Sequence, residues 1–217
     1  MIKYLDITNE ILQSYVDAGL ITKRRHPIKP LNIYCYSRKC EIENAWDDIT
    51  MKCRGLILDD DNRLVFRCVP KFFNDNQPIG SQIYNQIFNP FSSIDYVVTE
   101  KMDGSAIWVV NDSKHGLVVA SKTSFESDQA QWAERMILDS KLDQSLIPNI
   151  SHSLELIVPE NRIVVDYGDA RELVLWAMVD NAYPEREINI YNIKELFCNR
   201  AKIIAQPGEN KIGRAHV

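Results

Sequence analysis

Thr99-Glu100-Lys101-Met102-Asp103-Gly104-Ser105 is the stretch on which the reading of this chain turns. An apolar run, Tyr96 to Glu100, leads into it, and a second, Ala106 to Val110, leaves it. A lysine, an acid and a glycine therefore sit between two segments of strand character. The Asp-Gly pair alone fits a surface hairpin turn. A lysine held on a rigid strand end also fits a nucleophile, because a neutral amine there can attack the α-phosphate of a nucleotide, form a phosphoramidate and expel pyrophosphate. The glycine allows close backbone approach in the turn.

Working outward, the N-terminal side opens with a helix from about Asn9 to Ala18, with Ile11, Leu12, Tyr15 and Val16 on one face and Gly19 suited to its C′ position. Lys23-Arg24-Arg25-His26-Pro27 reads as a solvated basic turn rather than a nucleic-acid contact. Leu31 to Tyr36 reads as a strand. Cys53 to Leu58 and Leu64 to Cys68 flank Asp59-Asp60-Asp61-Asn62, a hairpin turn. Phe72 and Phe73 are neighbours and would face opposite sides of a strand. Beyond the lysine turn, Leu117 to Ala120 is a strand, and Ser127 caps a helix to about Leu142 with Ala130, Ala133, Met136 and Ile137 inside. Leu154 to Val158, Arg162 to Tyr167 and Leu173 to Val179 read as strands, and Ile193 to Ala201 as a short helix. The fold class is α+β, built on mixed, mostly antiparallel sheet with flanking helices. With no repeat or linker, one continuous domain is expected.

Composition is that of a soluble globular chain: 217 residues, 25% charged and 45% apolar. Net charge is −5, so any phosphate-binding surface must be a local cluster of Lys and Arg. No apolar run reaches the roughly 18 residues that span a bilayer, and the N-terminus lacks the pattern of a secretory signal. Cys35, Cys40, Cys53, Cys68 and Cys198 form no CxxC pair and read as free thiols in a reducing cytoplasm. The four histidines show no metal-ligand spacing. Glu155 interrupts the apolar run Leu154 to Pro159, where a carboxylate is costly unless paired or metal-bound. Arg162 could be its structural partner. Trp176 could line a pocket or fill a core.

Three further stretches stand with the lysine turn. Lys52-Cys53-Arg54-Gly55-Leu56 precedes Pro70-Lys71-Phe72-Phe73-Asn74, and Ser153 to Val165 reads S-x-E-x-x-x-P-x-N-R-I-V. With E-K-x-D-G-S and the Ser121 to Ala130 stretch S-K-x-S-x-x-S-x-Q-A, the chain resembles the T-even bacteriophage RNA ligase 1 family, within the covalent nucleotidyltransferase superfamily of ligases and capping enzymes. K-x-D-G by itself marks only the superfamily. The resemblance covers roughly residues 30 to 180. It implies a nucleotidyltransferase adenylation domain, related in chemistry to ATP-grasp-like ligases. Lys101 would be the adenylated lysine. Arg54, Lys71 and Lys122 would contact the nucleotide and its phosphates, Phe73 would pack in the nucleotide pocket, and Glu100 is counted with the nucleotide-binding residues. Glu155 would lie near the ribose and hold the metal. The implied cofactors are ATP and Mg2+. The implied partners are RNA 5′-phosphate and 3′-hydroxyl ends, tRNA among them, acted on by a monomer in an infected or bacterial cytoplasm.

The superfamily's E-G-x-V and K-x-K elements do not occur between Asp180 and Val217, so residues 1–211 read as a partial adenylation domain. Ile212-Gly213-Arg214-Ala215-His216-Val217 matches one frame of a common sequencing adapter, ATC GGA AGA GCA CAC GTC, and reads as a non-native, metagenomic tail. Missing strands would leave a sheet edge open near Leu173 to Val179. The expected function is an ATP-dependent RNA ligase of the RNA-repair type. The alternative is a non-catalytic nucleotide- or RNA-end-binding fragment. A DNA ligase or capping enzyme is weaker, since it would not predict K-F-F-N or the Ser121 to Ala130 stretch.

Overall fold

A computed structural model describes residues 2–88, 96–192 and 198–205. In chain order its main elements are α1 (Asn9–Asp17), β1 (Ile21–Arg25), β2 (Leu31–Tyr36), α2 (Arg38–Ile42), α3 (Asp48–Lys52), β3 (Arg54–Asp59), β4 (Leu64–Phe66), α4 (Pro78–Ile87), β5 (Val98–Thr99), β6 (Ser105–Asp112), β7 (Gly116–Ser121), α5 (Asp128–Asp139), β8 (Ile150–Ile157), β9 (Glu172–Asp180), β10 (Glu187–Ile188) and β11 (Ile203–Ala205). They form two compact units. The first holds residues 1–71 and 103–200, and the second holds 72–102 and 201–217.

The first unit carries two antiparallel sheets. One has the order β1-β2-β3-β4, the other β10-β9-β8-β6-β7. Leu31, Ile33, Ile57, Val65 and Phe66 of the first sheet share one buried core with Trp108, Val110, Val118 and Ala120 of the second. The opposite face of the second sheet takes α5, through Ala133 and Ile137 against Leu154, Leu156 and Leu175. The opposite face of the first takes the N-terminal segment, with Tyr4, Ile7 and Leu12 on Tyr34, Leu56 and Leu58. The alternation of side chains along each strand explains why both sheets are buried on two sides.

Local chemistry sets the helix ends. Thr8 Oγ1 accepts from Ile11 N–H at the start of α1, and Ser127 Oγ accepts from Ala130 N–H at the start of α5. Gly19, at φ +74°, ends α1 in a Schellman motif: its N–H donates to Val16 O and that of Leu20 to Tyr15 O, each 2.9 Å. The Asp59–Asn62 hairpin is present, with Asn62 at φ +65°.

Two polar clusters join the sheets. Asp59, fully buried, accepts from Arg63, Lys114 and His115, while Arg63 makes a bidentate pair with buried Asp112 at 2.7 and 2.8 Å. Elsewhere Arg67 N–H donates to Ser151 Oγ, Ser151 Oγ donates to Asn181 Oδ1, and Asn181 Nδ2 donates to Val65 O.

Several sequence expectations are corrected. Lys23–Arg25 belong to β1, an edge strand paired with Ile33 to Tyr34 and Asn32, not to a turn. Arg162–Tyr167 is an exposed loop rather than a strand, because Val164 and Val165 give their N–H groups to the Asp103 carboxylate. Phe72 and Phe73 lie in no strand. Lys101–Gly104 is not a hairpin turn, since β5 pairs with β11 and β6 pairs with β7 and β8. The edge of β9 carries β10 at Met178 and Val179, and Leu175 N–H donates to Asn199 O. Residues 193–197 of the expected C-terminal helix and the suspected tail 212–217 lie outside the described residues. Within the second unit, α4 begins with Pro78, and Phe88 packs on Tyr84 and Tyr96. Among the described residues no helix is long and apolar enough to cross a membrane.

The Asp59 cluster makes a pH prediction. Burial opposes ionisation there, but the Arg63 N–H, His115 and Lys114 outweigh it and hold the Asp59 carboxyl down at about 2. Its folded value is below its unfolded one, so its stabilisation is present above about pH 4 and is lost as pH falls toward 2. Urea denaturation across that window should show the wild type losing about 2 kcal/mol more than Asp59→Asn does. Parallel acid profiles for the two proteins would remove the cluster's role.

Candidate active site

Where β2, β3 and the segments after β4 and β7 come together, the first unit gathers three cations. Arg54 opens β3. Its Nη1 donates to Cys68 Sγ at 3.2 Å, and its guanidinium carbon lies 5.7 and 5.2 Å from the ring centroids of Trp108 and Trp176. Lys122, just past β7, donates to Tyr36 Oη at 2.8 Å and sits 4.2 Å from that ring's centroid. Lys71 lies 6.0 Å from the Tyr36 ring and 5.5 Å from that of Trp46, and the two rings meet edge to face. Burial pushes the Lys71 amine below its usual range; Arg54 and Lys122 add to this, and Glu41 opposes it. The two neighbouring cations register electrostatically at Lys71, so the three expected phosphate contacts share one region.

Like charges gathered in one region repel one another. The faces of electron-rich rings offset part of this without neutralising the cations. The Cys68 thiol, raised by burial against the pull of Arg54, stays a neutral acceptor.

The second part of the site centres on the glycine of K-x-D-G. Gly104 N–H donates to Glu155 Oε1 at 3.1 Å. A Cβ on Gly104 would sit 2.3 Å from Leu156 O and 3.1 Å from Glu155 Cγ, so only glycine fits. Glu155 is half-buried on β8, between Ala106 of β6 and Val174 of β9. Asp103 Oδ2 accepts from Val164 and Val165 N–H at 2.7 and 2.6 Å, and Asp103 N–H donates to Tyr167 Oη. Asn161 exchanges hydrogen bonds with Ser105 Oγ and accepts from Gln129 Nε2. The motifs around Ser105, Gln129 and Asn161 are therefore one polar network. A cavity of about 140 Å³ lies beside it, lined by Asp103, Val158, Asn161, Arg162 and Tyr167 among others.

The structure thus brings Arg54, Lys71 and Lys122 together and sets Glu155 against Gly104. Lys101 and Glu100 follow β5, and Phe73 precedes α4; all three belong to the second unit, where Glu100 N–H donates to Lys202 O. Lys101 is exposed and Phe73 half-buried. Trp176 lies beside Arg54, as the pocket reading of that residue allowed. Tyr36, Trp46, Trp108 and Cys68 were not singled out from sequence as site residues. Their signal was proximity to cations that only folding creates. Among the described residues no group of three His, Cys, Asp or Glu is placed to hold a metal ion by itself.

The profile of a family described as RNA ligase matches residues 52–208. No curated protein matches the chain. Among solved structures it is similar to one named "Putative ATP-dependent DNA ligase from Aquifex aeolicus", with a TM-score of 0.55 and 14% identity over 91% of this chain and 50% of that one. The likeness shows the fold, and the chain spans about half the length of that structure.

Gly104 gives a direct test of this geometry. Gly104→Ala should destabilise the protein by about 2 kcal/mol or more, because backbone, not a flexible side chain, blocks the new methyl. Denaturant midpoints check it. A Gly104→Ala protein as stable as wild type would mean that the turn does not pack on β8 as described.

Proposed function

The chain belongs to the T4 RNA ligase 1 family, and on that premise we propose that it joins RNA ends through a lysyl-adenylate. The observation that supports this most is the convergence of Arg54, Lys71 and Lys122, because like charges gather where an anion offsets them. A nucleotide triphosphate has the charge density for such a site.

In this reading the neutral Lys101 amine attacks the α-phosphorus of ATP. A phosphorus–nitrogen bond forms, the bond to pyrophosphate breaks, and the amine proton leaves to solvent. Arg54, Lys71 and Lys122 hold the phosphates and stabilise charge on the departing pyrophosphate, and Phe73 and Glu100 are nucleotide contacts on the family resemblance. The 5′-phosphate of an RNA end then takes the AMP from Lys101. A 3′-hydroxyl attacks the activated phosphate, closes the phosphodiester and releases AMP. Bound Mg2+ would neutralise phosphate charge and favour the in-line displacement. Glu155 would hold it: one carboxylate fits a hard cation that draws its other ligands from phosphates and water. RNA ends, tRNA among them, are the proposed partners, and a monomer the proposed working form. A DNA end is the competing substrate, since the similar solved structure carries that description at an identity that speaks only to fold.

The experiment is a mass measurement. Incubated with ATP and Mg2+, the protein should gain the mass of one AMP, and Lys101→Ala should abolish the gain. An adduct that persists on Lys101→Ala would reassign the nucleophile. ATP binding without any adduct would instead identify a nucleotide-binding module.

A further inference from the structure

Trp108 lies in the middle of β6, between Ala120 of β7 and Ser153 of β8, and is fully buried. It stacks on Phe66 with ring centroids 5.5 Å apart and planes at 29°. Its indole also lies directly on the peptide that follows Arg54. A Cβ built on Gly55 would stand 2.0 Å from Trp108 Nε1, and Gly55 adopts φ +81°. The backbone at Arg54 is therefore shaped around this one ring. The Arg54 guanidinium then folds back so that the same indole and that of Trp176 flank it. The two indole planes are inclined at 66° with centroids 6.0 Å apart, which makes a notch rather than a sandwich. Cys68 Sγ accepts from Arg54 Nη1 at the notch and is itself approached by Ser153 Oγ at 3.6 Å.

We propose that Trp108 is a positioning residue for Arg54: its indole face and its contact with Gly55 fix the guanidinium toward the nucleotide phosphates. The inference rests on the reading of Arg54 as a phosphate contact and goes beyond it by assigning how that contact is held. An indole face attracts the cation while adding no net charge. A guanidinium carries five N–H donors in a fixed planar fork that suits phosphate oxygens, so the orientation in which it is held decides what it can bind. Trp108 is the rigid wall of the notch, anchored in the shared core, and Trp176 is the half-buried one.

The test is a cycle of variants read by ATP affinity, using calorimetry with ATP and Mg2+ on the intact chain. With Arg54 present, Trp108→Leu should weaken ATP about tenfold, and Trp108→Phe, which keeps an aromatic face, about threefold. In an Arg54→Lys background, which keeps a cation but loses the planar group, Trp108→Leu should weaken ATP less than about twofold. Thermal midpoints should fall for both tryptophan variants irrespective of the residue at position 54. Equal weakening in both backgrounds would make Trp108 mere core filling and overturn the proposal, as would unchanged ATP affinity in either folded variant. Trp108→Phe carries the test if the leucine variant does not fold. The two readings fail differently. ATP bound without a Lys101 adduct defeats the ligase reading, whereas an adduct formed by Trp108→Leu at wild-type ATP dependence defeats the positioning role.

Discussion

Mutual repulsion of Arg54, Lys71 and Lys122 is the constraint around which the first unit is arranged. Three cations in one region of a chain with net charge −5 need a reason to stay together. Tyr36, Trp46, Trp108 and Trp176, a phenol oxygen and a neutral thiol lie against them. Each of these lowers the energy of a cation only in part. Local positive charge in an acidic chain is the basis on which a phosphate site is proposed here.

That arrangement depends on two close approaches that only glycine permits. Gly55 lets the Trp108 indole reach the backbone beside Arg54, and Gly104 lets the turn after Lys101 close on β8 beside Glu155. One lies in the C-R-G motif and the other in K-x-D-G. Both motifs therefore specify packing geometry as much as they specify the charged residues beside those glycines. The same holds for Asn161, whose amide joins Ser105 and Gln129 and so ties three separate motifs into a single framework.

Much of this was legible in the sequence. β2 has the expected bounds, α1 ends one residue before the reading had it, and the α5 cap and inner face are those expected. The grouping of Arg54, Lys71 and Lys122 followed from motifs rather than from periodicity. What escaped did so for identifiable reasons. β1 buries only Ile21 and shows solvent four polar residues, so it looks like a loop. Ile163-Val164-Val165 has strand composition, yet its backbone donors serve Asp103, a partner sixty residues away in sequence that no local pattern reveals. Trp108 sits in an apolar run and reads as core, which it is; that its face also serves a cation depends on the fold. The division into two units left no linker to read, because the second is an insertion between Lys71 and Asp103 with a return at Ala201.

The split composition of the first unit bears on how the protein comes to be made. Its N-terminal sheet is finished by residues translated long afterwards: Asn181 Nδ2 bonds Val65 O, and Glu185 accepts from the backbone of Tyr4, 181 positions earlier. At roughly 5–20 residues per second of synthesis, the nascent chain spends roughly 4–17 seconds between emergence of β2 and arrival of β6 and β7, which cover it. During that interval Leu31, Ile33, Ile57 and Phe66 face water or a chaperone. Contacts of such long range also slow closure after release from the ribosome. The surroundings of Arg54 are likewise complete only after Trp176 has been made.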